Sequence, residues 1–133
     1  MIVITHTHPP SRVGVRHLLP SGLKVYHLPL QVLTSSATLP NFLAFLPYFR
    51  NVILRERINL IHGHASLSSM AQEAVMHAPM IKGIAGNGRG GVRTVFTDHS
   101  LFGFGDATGI LTNKLLRGAL RNVEGVICVS HTG

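Results

Sequence analysis

Two short stretches hold the side chains best suited to chemistry: His62-Gly63-His64 and Asp98-His99-Ser100. Residues two apart in a strand point to the same side, so the imidazoles of His62 and His64 can converge. Near neutral pH such rings can hydrogen-bond hydroxyls, carry a proton or ligate a metal. Spacing alone leaves three readings open: one buried and one exposed histidine, a polar clamp for a hydroxylated ligand, or a pair of metal ligands. Ser66, Ser68 and Ser69 follow at an expected helix N-terminus, where free amides and the dipole favour an anion such as phosphate. Asp98, His99 and Ser100 are consecutive, so their side chains diverge and cannot stack as a hydrolytic triad. No Gly-x-Ser-x-Gly elbow presents a serine either. One of Asp98 and His99 is expected to face a crevice while the other anchors the loop. His99 is then placed to hydrogen-bond a ligand hydroxyl or stabilise developing charge. Phe102 and Phe104 are expected to pack beneath that loop, and His6 and His8, closing the first strand, can join the same crevice. His17, His27, His77 and His131 read as surface or structural residues.

The elements that must position these groups are short apolar strands alternating with helical stretches. Strands are predicted over 2–5, 23–28, 58–62, 93–97 and 125–129. Leu39, Phe42, Leu43, Phe45, Leu46, Phe49, Val52 and Ile53 recur at threes and fours, as one helical face would. Pro47 should kink or split that helix, and Arg50, Arg55 and Arg57 gather near its end, where cations complement the dipole. A second helix is expected from Ser66, as N-cap, to His77, stopped by Pro79; a third runs from about Thr108 to Leu120. Residues 79–91, with Gly83, Gly86, Gly88, Gly90 and Gly91, follow a helix and enter a strand. A phosphate-cradling loop has the opposite order, so a flexible connector is the better reading. The alternation predicts an α/β fold: a parallel sheet with helices on both faces, its ligands beyond the carboxyl ends of the strands. Both histidine stretches fall there.

The bulk numbers bound the function. The 133 residues suffice for one small domain with a real core, not for two. A net charge of +7 favours anionic partners. The basic residues are scattered from Arg12 to Arg121 without basic–aromatic interleaving, however, so nucleic acid is disfavoured. The single cysteine, Cys128, excludes an internal disulfide and a cysteine-based zinc site, and its apolar neighbours suggest a buried thiol. No signal peptide is visible, and the best candidate span, 39–54, is interrupted by Asn41, Pro47, Arg50 and Asn51. No glycine-rich strand–turn–helix unit opens the chain, which reads as part of something larger.

Several segments together resemble one family. They are Ser21-Gly22-Leu23-Lys24-Val25-Tyr26-His27-Leu28-Pro29-Leu30, Arg55-Glu56-Arg57 leading to Ile61-His62-Gly63-His64, and the run Thr94-Val95-Phe96-Thr97-Asp98-His99-Ser100-Leu101-Phe102-Gly103-Phe104 continuing to Asp106. Thr112-Asn113-Lys114-Leu115-Leu116 and Ile127-Cys128-Val129-Ser130-His131-Thr132 extend the match. The family is the PIG-A type catalytic subunit of phosphatidylinositol N-acetylglucosaminyltransferase, which begins GPI-anchor synthesis. The resemblance implies a Rossmann-like parallel sheet forming the incomplete amino-terminal, acceptor-side half of a retaining GT-B glycosyltransferase. It implies UDP-N-acetylglucosamine as donor and phosphatidylinositol as acceptor, with no metal or other cofactor. It further implies a multi-subunit complex on the cytoplasmic face of the endoplasmic reticulum membrane.

By motif position, His99 with Asp98 would act at the donor sugar, and His62 and His64 would line the acceptor side, with Ser66, Ser100 and His6 as further substrate contacts. The family's opening strand–loop–helix and its donor-binding domain are not found in 1–133, and residues 79–91 read as an insert. Two rivals stand beside this reading: a metal-dependent hydrolase using His62, His64 and His99, and a non-catalytic truncated paralogue.

Overall fold

A computed structural model describes residues 1–7, 12–30, 41–65, 68–85, 91–99, 114 and 116–129. In chain order it contains β1 (Ile2–His6), β2 (Gly14–Leu18), β3 (Leu23–Leu28), α1 (Phe42–Arg55), β4 (Leu60–His64), α2 (Ser69–Ala85), β5 (Arg93–Asp98) and β6 (Gly125–Cys128). Residues 114 and 116–120 are also helical. The architecture is α/β with parallel pairing of β1 with β3, β4 with β5, and β5 with β6.

Among the described residues the strands form two three-stranded sheets, ordered β1-β3-β2 and β4-β5-β6, rather than one continuous sheet. Strand β2 is not among the strands expected from sequence. It pairs antiparallel with β3 through a turn over 19–22, where Gly22 N–H donates to Leu18 O at 2.9 Å. Its signal was present: Val13 and Val15 alternate with small or polar residues, and Pro20-Ser21-Gly22 is a turn sequence ahead of the β3 apolar run.

One core spans both sheets. Tyr26 and Leu28 of β3, Phe45, Phe49, Val52 and Ile53 of α1, Ile61 of β4, and Ala74, Ala78 and Ile81 of α2 are buried together. A second cluster joins Val75, Phe96 and Ala119, with Ala71, Leu116 and Val123 packed against it. The described helices therefore cover the side carrying Ile61 and Phe96. On the other side Leu60, His62, His64 and Ile127 are exposed, so helices on both faces are not seen among the described residues.

Neither proline ends a helix: Pro47 does not split α1, and Pro79 does not stop α2. Pro47 lies inside α1 among the exposed residues Leu43, Ala44 and Tyr48, a face on which water can solvate a carbonyl that has lost its amide partner. Pro79 lies inside α2 on an exposed turn, and buried Ile81 keeps the following turn docked. Residues 79–85 of the expected connector are thus helical, and 86–90 lie outside the described residues. The end of α1 closes by a Schellman pattern: Ile58 N–H donates to Ile53 O at 3.0 Å and Arg57 N–H to Leu54 O at 3.3 Å. Arg57 occupies the left-handed position (φ 51°) that glycine usually fills, so Arg55 alone serves the last helical turn.

Glu56, just beyond, accepts from Tyr26 Oη at 2.6 Å and from Lys24 Nζ at 2.9 Å, fastening α1 to β3. These bonds hold its carboxyl below the usual range, Tyr26 contributing most and Lys24 next. Cys128 is exposed, contrary to the buried thiol expected. It lies on β6, at the edge of its sheet among the described residues, and its neighbours Val126, Ile127 and Val129 are exposed as well.

Glu73 is 2 % exposed, and its Oε1 accepts from Asn41 N–H at 2.6 Å at the start of α1. Burial pushes its carboxyl above the usual range, partly offset by that amide. The native state therefore holds this proton to higher pH than the unfolded chain. Its contribution is complete below the ordinary glutamate value and is lost as pH rises through the raised native one. Glu73→Gln keeps an acceptor for Asn41 and removes the titration. In thermal melts of the complete polypeptide carrying this segment, the variant should melt above the parent at neutral pH. The gap should close on acidification toward the ordinary glutamate range.

Candidate functional site

Strand β4 places His62 and His64 on one face and buries Gly63 between them on the other. Parallel register sets His62 beside Val95 and His64 beside Thr97. The strand extends two residues beyond the 62 expected from sequence, so both histidines belong to it and obey its period of two. Their rings lie 4.0 Å apart between centroids. His99 follows β5 directly and stacks on His64 at 5.7 Å and 9°, with His64 Nδ1 3.4 Å from His99 Nε2. One of those facing nitrogens carries the hydrogen and the other accepts. The three imidazoles form a row at the carboxyl ends of two adjacent strands.

The backbone that makes this possible is specific. A Cβ on Gly63 would lie 2.8 Å from Phe96 Cδ2 and 3.4 Å from Ala71 Cβ, so only glycine lets the Phe96 ring close beneath β4. Beyond β4, Ala65 takes a left-handed conformation (φ 67°), and its N–H donates to Thr97 O at 3.0 Å. The N-cap of α2 is Ser68 rather than Ser66: Ala71 N–H donates to Ser68 Oγ at 3.3 Å.

Burial, and then the neighbouring charges of His62 and His99, lower the His64 pKa below its ordinary value. His64 thus resists taking up a positive charge. Neutral imidazoles can each offer a donor and an acceptor to hydroxyls.

Asp98 ends β5, and its carbonyl accepts from Val129 N–H at 3.3 Å, tying the strand end to β6. His6 closes β1 in the other sheet, with its Nδ1 donating to Thr7 O at 2.6 Å. Ser66, Ser100, His8, Phe102, Phe104 and His131 lie outside the described residues. His27 and His77 are buried structural residues, His27 Nδ1 donating to His6 O at 3.3 Å and His77 lying against Phe45. His17 is exposed.

Sequence reading passed over Thr97, which is buried, with its Oγ1 2.7 Å from His62 Nε2. The signal was its place two residues before His99, on the same strand face as Val95. Among the described residues, no group of three or more His, Cys, Asp or Glu side chains is arranged to hold a metal ion. The facing nitrogens of His64 and His99 are engaged with each other at 3.4 Å.

Fold and site together define an α/β protein that gathers polar side chains at the carboxyl ends of parallel strands, where such sheets bind ligands. The chain belongs to the PIGA (GPI anchor biosynthesis) family, whose model matches residues 6–106. It is 48 % identical over 132 residues to the phosphatidylinositol N-acetylglucosaminyltransferase gpi3 subunit of Schizosaccharomyces pombe, covering 99 % of this chain and 26 % of that protein. Human and Arabidopsis thaliana subunits of phosphatidylinositol N-acetylglucosaminyltransferase are 45 % and 39 % identical to it, over 99 % of this chain and 25 % and 27 % of theirs. The chain spans about a quarter of the length of the curated relatives it matches. No solved structure matches it. Among the described residues, no helix is long and apolar enough to cross a membrane.

Proposed function

We propose that this segment supplies the acceptor-side strand ends of a retaining GT-B glycosyltransferase. The enzyme moves N-acetylglucosamine from UDP-N-acetylglucosamine to phosphatidylinositol, the first step of GPI-anchor synthesis. The carrying observation is the His62–His64–His99 row, built from two strands in a chain of the PIGA family. The relatives' names supply the transferred sugar and the lipid.

In this reading His99 hydrogen-bonds the donor sugar and stabilises charge as the nucleotide leaves, with Asp98 at the same strand end supporting it. His62 and His64 receive hydroxyls of the inositol headgroup. Ser66, Ser100 and His6 complete the substrate contacts. Donor binding falls to a second domain outside 1–133, so these residues alone should not turn over. The relatives are named as subunits, which supports work inside a larger complex, placed by this reading on the cytoplasmic face of the endoplasmic reticulum membrane.

The test uses membranes containing the complete polypeptide and its partner subunits, supplied with UDP-N-acetylglucosamine bearing a labelled sugar and with phosphatidylinositol. Label should enter a chloroform-soluble N-acetylglucosaminyl phosphatidylinositol, and omission of the lipid should abolish it. Absence of that product, or hydrolysis dependent on a stoichiometric divalent metal, would overturn the reading.

A further inference from the structure

We infer that Thr97 is a positioning residue that fixes the His62 ring for the acceptor, an inference that rests on the function proposed above. His62 is exposed on β4, where the His64 ring is its neighbour on the same face. Thr97, by contrast, is 5 % exposed, β-branched and held within β5, so its side chain has little rotamer freedom. The two residues are diagonal neighbours on one sheet face, because register places His62 beside Val95 and His64 beside Thr97. Their contact of 2.7 Å is short for a hydrogen bond involving a ring nitrogen.

The same residue also holds the backbone. Thr97 O accepts from Ala65 N–H at 3.0 Å, where the chain leaves β4 in its left-handed turn. One threonine thus ties down both the ring of His62 and the exit from its strand. Engaging Nε2 selects a single arrangement of the imidazole and leaves Nδ1 as the nitrogen presented to a ligand. If the Thr97 hydroxyl donates, Nδ1 carries the hydrogen and meets a ligand oxygen as a donor. If Nε2–H donates to Thr97, Nδ1 is the acceptor for an inositol hydroxyl. Either way the ring has one working face, and a free ring would have two.

Thr97→Val keeps the shape and deletes the hydroxyl, and Thr97→Ser keeps the hydroxyl. The experiment uses the complete polypeptide in its complex, with two readouts. The first is the rate at which diethyl pyrocarbonate modifies His62, followed by mass spectrometry. The second is KM for phosphatidylinositol and, separately, for UDP-N-acetylglucosamine. Thr97→Val should speed His62 modification at least about threefold and raise the acceptor KM about fivefold, the worth of one modest hydrogen bond. The donor KM should stay unchanged, and Thr97→Ser should restore both readouts. Thr97→Val should add nothing in a His62→Ala background.

An unchanged modification rate, or an equal further loss in that background, overturns the role of Thr97. Faster modification with an unaltered acceptor KM in both Thr97→Val and His62→Ala keeps the tie between the residues. It removes His62 from the acceptor site, and with it the service of Thr97 to the reaction.

Discussion

Replacing Phe96 by alanine should cost the domain about 3–5 kcal/mol, the range for emptying a fully buried aromatic site. Phe96 is fully buried in the middle of β5, packed with Val75 and Ala119, with Ala71 and Leu116 alongside. Its ring also fills the space that a side chain on Gly63 would need. The reciprocal change, Gly63→Ala, should cost about 1–3 kcal/mol through overpacking. Because both changes act on one contact, their effects should not add. Gly63→Ala combined with Phe96→Leu should be more stable than the sum of the single losses predicts. Denaturant unfolding of the complete polypeptide compares the parent, Phe96→Ala, Gly63→Ala, Phe96→Leu and the double variant. Strict additivity would mean that Phe96 does not shape the backbone at Gly63. The consequence reaches the site, since Gly63 is the residue whose burial turns His62 and His64 to the opposite face.

The second large effect falls on the reaction. His99→Ala in the complete enzyme should lower sugar transfer at least about tenfold, since one hydrogen bond made to the transition state is worth about 1.4 kcal/mol or more. The geometry sharpens this expectation. His99 stacks on His64 with its Nε2 3.4 Å from His64 Nδ1, so its ring has a defined plane before any ligand arrives. Removing it also relieves one of the charges that lower the His64 pKa. The acid limb of the pH–rate profile should therefore move upward, as His64 gains its proton at higher pH. Initial rates across the range below neutrality, for the parent and His99→Ala, check both statements. Transfer at the parental rate in the variant would remove His99 from the site.

Much of this protein was legible in its residues because the signals are local. Period-two placement put both imidazoles of His62-Gly63-His64 on one side, and the rings do meet at 4.0 Å. The spacing of Phe45, Phe49, Val52 and Ile53 marked the buried side of α1, and those residues are in the core. Apolar runs bounded by polar residues marked β5 and β6 within a residue of their observed ends. The long Thr94–Phe104 run carried the family likeness, which the match over 6–106 establishes.

Where the local signals misled, tertiary contacts overrode them. Pro47 and Pro79 removed amide donors, but neighbouring core residues kept both helices whole. An apolar surrounding suggested a buried Cys128, but sequence hydrophobicity does not reveal that β6 lies at the edge of its sheet among the described residues.

Pattern along the chain thus determined the residue types, the alternation of strands and helices, and which strand ends would carry imidazoles, because those depend on neighbours a few positions apart. Register decided the rest. Only the pairing of β4 with β5 brings residues 35 apart together, His62 with Thr97 and His64 with His99. Within that pairing the Phe96 ring closes over Gly63, leaving no room for a side chain there. A one-residue slip in it would turn one strand's site residues to the opposite face, and no local propensity sets that choice.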